Sequence, residues 1–330
     1  MNKKTNNKKR KKKLNIDIYT VIIVQVLIGV FLSINFFLIS TFFRNYIFYT
    51  SMRYILFAET LLSDCLFLIL ANVTLILSYF RVTMPVWLCI ILFVLSSVYS
   101  YVTPVTLTAM TLERYVAICM PLRHAELCTP HGALQLILII HSISAVPCTI
   151  NLAIFYSAAS PTVYTQWGIC HGEMFVLFTW QGHFRSAISQ LYFFIMFTII
   201  VLSYIKIMKV AKTASGENKK STWKGLRTVI LHGFQLLLIL IQLWGVFIEA
   251  AALKVSLTLY VNIRYFNYIM FFLAPRCLSP LIYGLRDELF FKALKSYATC
   301  GIEVCLVHTL SRSQSCSSVL SQSKLYKAVA

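Results

Sequence analysis

The chain has 330 residues, of which 58% are hydrophobic and 12% charged, and its mean hydropathy is +0.75. A soluble domain is about half apolar and one quarter charged, so this composition excludes an ordinary soluble protein and indicates a membrane protein. The net charge of +19 could point to a nucleic-acid partner, but the basic residues are spread over the amino-terminal tail and the loops. Membrane topology explains that distribution more simply, so we expect membrane lipid, and no nucleic acid, as a partner.

Seven apolar segments each reach the roughly 20 residues that a helix needs to cross the hydrocarbon core of a bilayer. Glycine and proline are sparse, which favours helices over the hairpins of a barrel, and a bilayer admits only these two solutions. We therefore expect an all-α membrane protein, a seven-transmembrane helix bundle. Its predicted spans are residues 18–41, 54–80, 86–119, 132–156, 186–210, 226–250 and 257–283.

The predicted organisation has four parts. A basic tail, residues 1–17, precedes the seven-helix domain, residues 18–283. Residues 284–299 place apolar and charged side chains at helical spacing, which is typical of an amphipathic helix on the inner leaflet. The Ser-rich residues 300–330 are expected to be a disordered cytoplasmic tail. We expect an external amino terminus and hence an extracellular tail, which the basic residues of the inner loops and carboxyl tail favour, although the basic run at residues 3–13 opposes it.

The third, fifth and seventh spans end in short motifs that combine polar and aromatic residues. These motifs are Glu113-Arg114-Tyr115 within ERYVAICMPLR, Ser203-Tyr204, and Ser279-Pro280-Leu281-Ile282-Tyr283. Together they resemble the corresponding motifs of rhodopsin-like (class A) G protein-coupled receptors, and more narrowly those of the odorant receptors of the fish type. The resemblance covers nearly all of residues 18–297.

This resemblance implies a receptor that binds a small odorant and activates a heterotrimeric G protein of the stimulatory olfactory type, raising cyclic AMP. It also implies the cell membrane of olfactory cilia as the location. In the family, the Arg at this position meets the G protein and its acidic neighbour restrains it at rest. The residues implied in coupling and activation are Glu113, Arg114, Tyr115, Tyr204, Ser279, Pro280 and Tyr283, with Ser279 replacing the family's Asn. Alternatively, the Glu113–Arg114 pair only fixes the interfacial end of a helix.

Two cysteines are expected to form a disulfide on the outer side of the membrane. Arg114 follows Cys89 by about 25 residues, which is about 37 Å of helix and places the two residues at opposite membrane faces. Cys170 lies in the long segment between the fourth and fifth spans. A Cys89–Cys170 disulfide would lie on the oxidising side, and it matches the disulfide shared by most of the superfamily.

The second and seventh spans carry charged residues that are costly to bury in hydrocarbon. Glu59 and Asp64 lie in the second span and Arg276 in the seventh. Asp64 matches, by resemblance, an acidic position that binds sodium in many rhodopsin-like receptors, but here an Arg is available as a fixed cation. We predict an intramembrane ion pair between Asp64 and Arg276. Alternatively, Arg276 snorkels or faces Glu59, or Asp64 is a protonated or hydrogen-bonded structural residue.

A ligand pocket is expected in the outer third of the bundle, where small-molecule sites combine apolar walls with a few polar groups. The candidate ligand-binding residues are Ser96, Ser97, Ser100, Tyr101, Tyr192, Trp244, Phe247 and Phe272. Ordinary aromatic core packing is an open alternative for any one of them. The sequence shows no zinc-like spacing, and we expect neither a metal nor a cofactor.

Other classes of function remain as alternatives to an odorant receptor. Another class A chemosensory receptor would share the same motifs. A transporter or channel should carry paired charges or broken helices at symmetric positions, and only Asp64 and Arg276 lie at such a depth. An intramembrane enzyme would need a catalytic cluster on facing helices, which the sequence does not offer, so we do not expect an enzyme.

Overall fold

The computed structural model describes residues 2–170, 172–213, 251–278 and 289–296, together with residues 230, 233–235, 237–238, 241, 244–245 and 248–249. The chain divides into two units, Met1–Ile282 and Tyr283–Ala330. In the described part of the first unit, helices dominate and a single short strand pair is present. In the second unit, residues 289–296 are helical and lie within the predicted amphipathic helix.

Long helices form most of the first unit. In chain order they are α1 (Asn2–Arg44), α2 (Met52–Tyr79), α3 (Val86–Cys119), the short α4 (Pro121–Leu127), α5 (Pro130–Ala158), α6 (Thr179–Thr213), α7 (the described helical positions between residues 230 and 255) and α8 (Leu257–Asn267). Among the described residues, five segments are long and apolar enough to cross a membrane, namely Val21–Arg44, Met52–Tyr79, Val86–Cys119, Pro130–Ala158 and Thr179–Val210. They correspond to the first five predicted spans.

Two helices begin earlier than the predicted spans. Helix α1 begins at Asn2 and not near residue 18, so residues 2–17 of the predicted tail continue the helix. No proline or glycine interrupts that stretch. Helix α6 begins at Thr179 and not near residue 186. Both differences arise because hydropathy marks the apolar part of a helix, whereas its end is set by backbone hydrogen bonding.

Helix α3 packs against α2, α5 and α6, and α2 also packs against α1. A buried apolar cluster that includes Tyr101 and Phe193 joins α3 to α6; we call it the α3–α6 cluster. Large side chains on the outside, such as Phe36 and Phe194, are exposed. An apolar exterior around a packed interior is what a bundle surrounded by lipid requires.

A short strand pair and a disulfide cover one end of the bundle. Strand β1 (Thr83–Pro85) pairs antiparallel with β2 (Trp167–Ile169) immediately before α3. The Cys89–Cys170 disulfide joins the first turn of α3 to the residue after β2, with Cα atoms 5.4 Å apart. The predicted disulfide is therefore confirmed. We call this end of the bundle the disulfide end, and the opposite end of α3 the Arg114 end.

The seventh span changes its helical geometry part-way along. Helix α8 is followed by a π-helical turn, Tyr268–Leu273, and then by the helical residues 274–278. A π-helical turn holds more residues than an α-helical turn and shifts the side chains that follow around the axis. Such turns occur frequently at functional sites, and this one contains Tyr268 and Phe272, which line the cavity described below.

Candidate functional site

Asp64 and Arg276 lie next to each other inside the bundle. The Arg276 Nη1 atom donates a hydrogen bond of 2.9 Å to Asp64 Oδ1, and the two side chains are 3% and 0% exposed. The Thr103 hydroxyl donates to the same carboxylate oxygen at 2.7 Å, and Arg276 Nη2 donates to the Ser100 carbonyl at 3.3 Å. The pair is therefore held by groups from α2, α3 and the seventh span.

An aromatic ring completes the surroundings of the guanidinium. The Arg276 Cζ atom lies 4.5 Å from the centre of the Phe67 ring, and Phe67 is itself buried on α2. A cation over an aromatic face gains more when water is excluded. Removing one partner of such a pair would leave a buried charge uncompensated, at a cost of about 3–5 kcal/mol.

A cavity of about 680 Å³ lies toward the disulfide end of the same bundle. Its walls come from α1, α2, α3, the segment after β2, and the sixth and seventh spans. The polar groups in its walls include Thr74, Ser96, Glu249, Arg264, Asn267 and Tyr268. Ser96 Oγ and Tyr268 OH are buried, and neither has a hydrogen-bond partner among the described residues. Buried hydroxyls are normally paired, so these two are positions that water or a bound molecule would complete.

Two of the predicted ligand-binding residues, Ser96 and Phe272, line this cavity. Phe272 stacks on Tyr268, with ring centres 4.8 Å apart, and its other neighbour is Phe67, at 4.9 Å. Trp244 is not part of the wall, and its side chain is 58% exposed on α7. Phe247 lies outside the described residues.

The remaining predicted ligand-binding residues do not line the cavity. Tyr101 is buried, hydrogen-bonded to the Ser189 hydroxyl of α6, and belongs to the α3–α6 cluster. Tyr192 packs against the same cluster. The Ser100 hydroxyl donates to the Ser97 carbonyl at 2.7 Å, within α3.

At the Arg114 end, Glu113 has two cationic or potentially cationic neighbours. Arg114 Nε lies 3.5 Å from Glu113 Oε2, and His124 Nε2 of α4 lies 3.3 Å from Glu113 Oε1. Arg114 Nε and Nη2 are buried and make no hydrogen bond with a described residue. Glu113 and Arg114 are thus in ionic contact without a hydrogen bond between them, and Glu113 is shared with His124.

Residues 34–283 match the family described as 7 transmembrane receptor (rhodopsin family). That match covers more than half of the chain and includes both the Asp64–Arg276 pair and the Glu113–Arg114 pair. The chain belongs to the rhodopsin family of seven-transmembrane receptors. The receptor is therefore a multi-pass membrane protein with seven transmembrane helices, as predicted, and its family is one of receptors and not of enzymes.

Individual relatives of the receptor place it more narrowly. It is 42% identical over 291 residues to the zebrafish protein named Odorant receptor 131-2, covering 88% of this chain and 89% of that protein. It is 25% identical to rat Olfactory receptor 1073, covering 60% of this chain and 63% of that one. It is also 26% identical to zebrafish Galanin receptor 2a, covering 66% and 61%. The predicted resemblance to odorant receptors of the fish type is confirmed by the first of these.

Other predicted coupling residues of the receptor lie near the Arg114 end. Lys206 Nζ of α6 lies 5.4 Å from the centre of the Tyr115 ring, and both Tyr115 and Tyr204 pack against the α3–α6 cluster. These contacts bring α3 and α6 together beside Arg114. The remaining predicted residues Ser279, Pro280 and Tyr283 lie outside the described residues.

A second acidic residue of α2, the half-buried Glu59, contacts a histidine of the fourth span. Glu59 Oε1 lies 2.9 Å from His141 Nε2 of α5 and accepts a hydrogen bond of 2.9 Å from Ser63. The His141 ring also meets the Tyr99 ring edge-on, with centres 6.1 Å apart. Glu59 is thus bonded to His141 while Arg276 pairs with Asp64. A histidine inside an otherwise apolar fourth span was the available signal for this contact.

Proposed function

We propose that this receptor detects a small odorant and, when occupied, activates a stimulatory olfactory-type G protein that raises cyclic AMP. The cavity of about 680 Å³ at the disulfide end is the observation that carries the proposal. Its volume lies within the range of roughly 300–1,000 Å³ that is typical of small-ligand sites. The 42% identity to a protein named as an odorant receptor supports an odorant as the ligand.

The orientation that follows puts the cavity on the side from which an odorant arrives. Disulfides persist in oxidising surroundings, so the disulfide end faces the exterior and the Arg114 end faces the cytoplasm. The amino terminus is then external, and the olfactory cilium is the location we propose. Arg114, Tyr115 and Tyr204 are then on the side of the heterotrimeric G protein.

A chain of ring contacts supports a route from the cavity to the buried ion pair. Phe272 is part of the cavity wall, its ring centre lies 4.9 Å from that of Phe67, and the Arg276 guanidinium lies 4.5 Å from the Phe67 ring. We infer that a ligand pressing on Phe272 displaces Phe67 and so changes the environment of Arg276.

The test is a cyclic AMP assay in cells that express the receptor together with the olfactory G protein, challenged with a panel of small odorants. We expect a dose-dependent rise that Arg114→Ala abolishes at unchanged surface expression. Phe272→Ala should shift the potency of an active odorant by about tenfold or more. Phe36→Ala, which removes an equally large ring from the exposed side of α1, is the matched control and should leave the potency unchanged.

A channel would respond differently in the same cells. If odorants evoked an ionic current that persisted in the Arg114→Ala variant and no cyclic AMP response in either protein, the proposed receptor function would be wrong. Equal odorant potency in the Phe272→Ala and Phe36→Ala variants would show that the cavity is not the ligand site, and the proposed receptor function would still stand.

A further inference from the structure

Glu249 is the acidic side chain in the described part of the cavity wall. It comes from α7, is half-buried and contacts Asn267 of α8. A carboxylate in a wall that also contains Leu75, Leu92 and Phe93 is an unusual component for a site that takes an apolar molecule. Partial removal from water makes an ionised carboxylate costly unless a cation or hydrogen-bond donors compensate it.

Asn267 holds the Glu249 carboxylate from one side. The Asn267 Nδ2 atom donates to Glu249 Oε1 at 3.1 Å, and the Asn267 side chain is buried. Position 245 is a glycine, and a β-carbon there would lie 3.2 Å from the same Nδ2 atom. The absence of a side chain on Gly245 therefore leaves room for the amide that orients Glu249. One donor leaves most of the acceptor capacity of a carboxylate open.

No cation in the described part of the chain pairs with Glu249. Arg264 also lines the cavity, but its Nη1 atom donates to the Tyr260 hydroxyl at 2.8 Å, its guanidinium lies over the Tyr260 ring, and its side chain is exposed. The charge of Arg264 is therefore compensated by solvent and by Tyr260. Glu249 is in the opposite situation, since it is half-buried, held in position by Asn267 and without a counter-ion among the described residues.

We propose that the cavity takes a ligand with a protonated amine, and that the ammonium group binds Glu249 while the apolar part of the ligand lies against Phe93, Phe272 and Leu75. This inference rests on the proposed odorant-receptor function and names the chemical class of its ligand. The buried hydroxyls of Ser96 and Tyr268 supply further hydrogen-bonding positions for a polar substituent. A charge-assisted hydrogen bond to a partly desolvated carboxylate is the contact that distinguishes an amine from the alcohol of the same shape.

The experiment compares three matched sets of probes on cells that express the full-length receptor with a cyclic AMP readout. The amines are hexylamine, octylamine and phenylethylamine; the alcohols and carboxylic acids have the same carbon skeletons. The variants are Glu249→Gln, which removes the charge at constant shape, and Glu249→Asp, which keeps it. Glu126→Gln in α4 is the matched control for loss of an acidic residue elsewhere.

We expect the amines to be at least about tenfold more potent than the alcohols and acids on the unmodified receptor. Glu249→Gln should lower amine potency by about tenfold or more, Glu249→Asp should retain part of it, and Glu126→Gln should retain it fully. Equal potency of amines and alcohols, or amine potency unaffected by Glu249→Gln, overturns the proposal. The proposal is also overturned if the carboxylic acids are the most potent set of probes and if Arg264→Gln lowers their potency.

A second readout separates this proposal from the receptor function on which it rests. The thermal unfolding midpoint of the purified receptor in lipid nanodiscs is measured with each amine and each alcohol. Stabilisation by amines that Glu249→Gln removes supports the amine site even when no cyclic AMP is produced, in which case the proposed function fails alone. No stabilisation by any amine overturns the amine site, and a cyclic AMP response to alcohols would then leave the receptor function standing.

Discussion

Arg276 Nη1 and Asp64 Oδ1 lie 2.9 Å apart, although the two residues are 212 positions apart in the sequence and both side chains are almost fully buried. The carboxylate oxygen that accepts from Arg276 also accepts from Thr103. The side chain of Arg276 thus provides, as a permanent part of the protein, the positive charge that a bound cation would otherwise bring to Asp64. The response of the resting receptor to sodium should therefore differ from that of a receptor in which a cation binds this carboxylate.

The first prediction concerns sodium. Because Arg276 already neutralises Asp64, the unliganded receptor should not depend on sodium to hold its resting state. Replacing sodium with choline in the medium should change the basal cyclic AMP level and the odorant potency by less than about twofold. A steep rise of basal activity on sodium removal would contradict the prediction, because it would mean that a cation binds beside Asp64 despite Arg276.

The second prediction concerns the restraint on Arg114. Glu113 is in ionic contact with Arg114 at 3.5 Å, so Glu113→Gln should raise basal cyclic AMP several-fold by weakening that contact. His124 competes for the same carboxylate at 3.3 Å, so His124→Ala should lower basal activity by leaving Glu113 to Arg114 alone. The measurement is basal cyclic AMP normalised to surface expression. Changes of the same sign in the two variants would argue against a shared carboxylate.

The third prediction concerns the reactivity of Cys128, which lies between α4 and α5 and outside the apolar spans. Burial raises the pKa of the Cys128 thiol above its ordinary value, and the charge of Glu113 raises it further. Because the thiolate is the reactive form, alkylation by iodoacetamide should be slow at neutral pH and accelerate as the pH rises. Mass spectrometry of the peptide that contains Cys128 measures the rate.

Charge removal at Glu113 provides the control for that pKa argument. Glu113→Gln should lower the pKa of Cys128 and increase its alkylation rate at neutral pH. Glu126→Gln removes a carboxylate that is closer in sequence but does not contribute to the shift, and it should leave the rate unchanged. Equal acceleration in both variants would show that the rate follows exposure of the segment and not the charge of Glu113.

Much of the architecture could be predicted because bilayers impose strong rules. The first five spans followed from apolar length. The Cys89–Cys170 disulfide followed from the opposite ends of α3 together with the disulfide shared by the superfamily that the motifs resemble. The start of α1 at Asn2 could not be predicted from hydropathy, because the basic first part of this helix contains few apolar residues. The π-helical turn at Tyr268–Leu273 also left no sequence signal, since it depends on how the seventh span packs against its neighbours.

The residues that line the cavity could be predicted only in part from the sequence. Ser96 lines the cavity and Ser97, the next residue of α3, does not, because successive side chains of a helix point about 100° apart. The structure turns Leu92, Phe93 and Ser96 toward it, at the spacing of one helical face, and leaves Tyr101 to α6. The contact between Glu249 and Asn267 could not be predicted, because it joins two helices and depends on how they are rotated relative to each other. The sequence of either helix alone does not determine that rotation.

A double-mutant cycle tests whether Asp64 and Arg276 stabilise the receptor as a pair. Asp64→Asn and Arg276→Gln each leave one buried charge without its partner, which should lower the free energy of unfolding by about 3–5 kcal/mol and reduce the yield of folded receptor. Arg264→Gln, in the same span but with an exposed side chain, is the matched control and should fold normally.

The decisive measurement is the thermal unfolding midpoint and folded yield of the Asp64→Asn, Arg276→Gln double variant in detergent. We predict that the double variant recovers a substantial part of the stability and yield that each single variant loses, because neither charge is then left uncompensated. Losses that simply add in the double variant would contradict the pairing of Asp64 with Arg276.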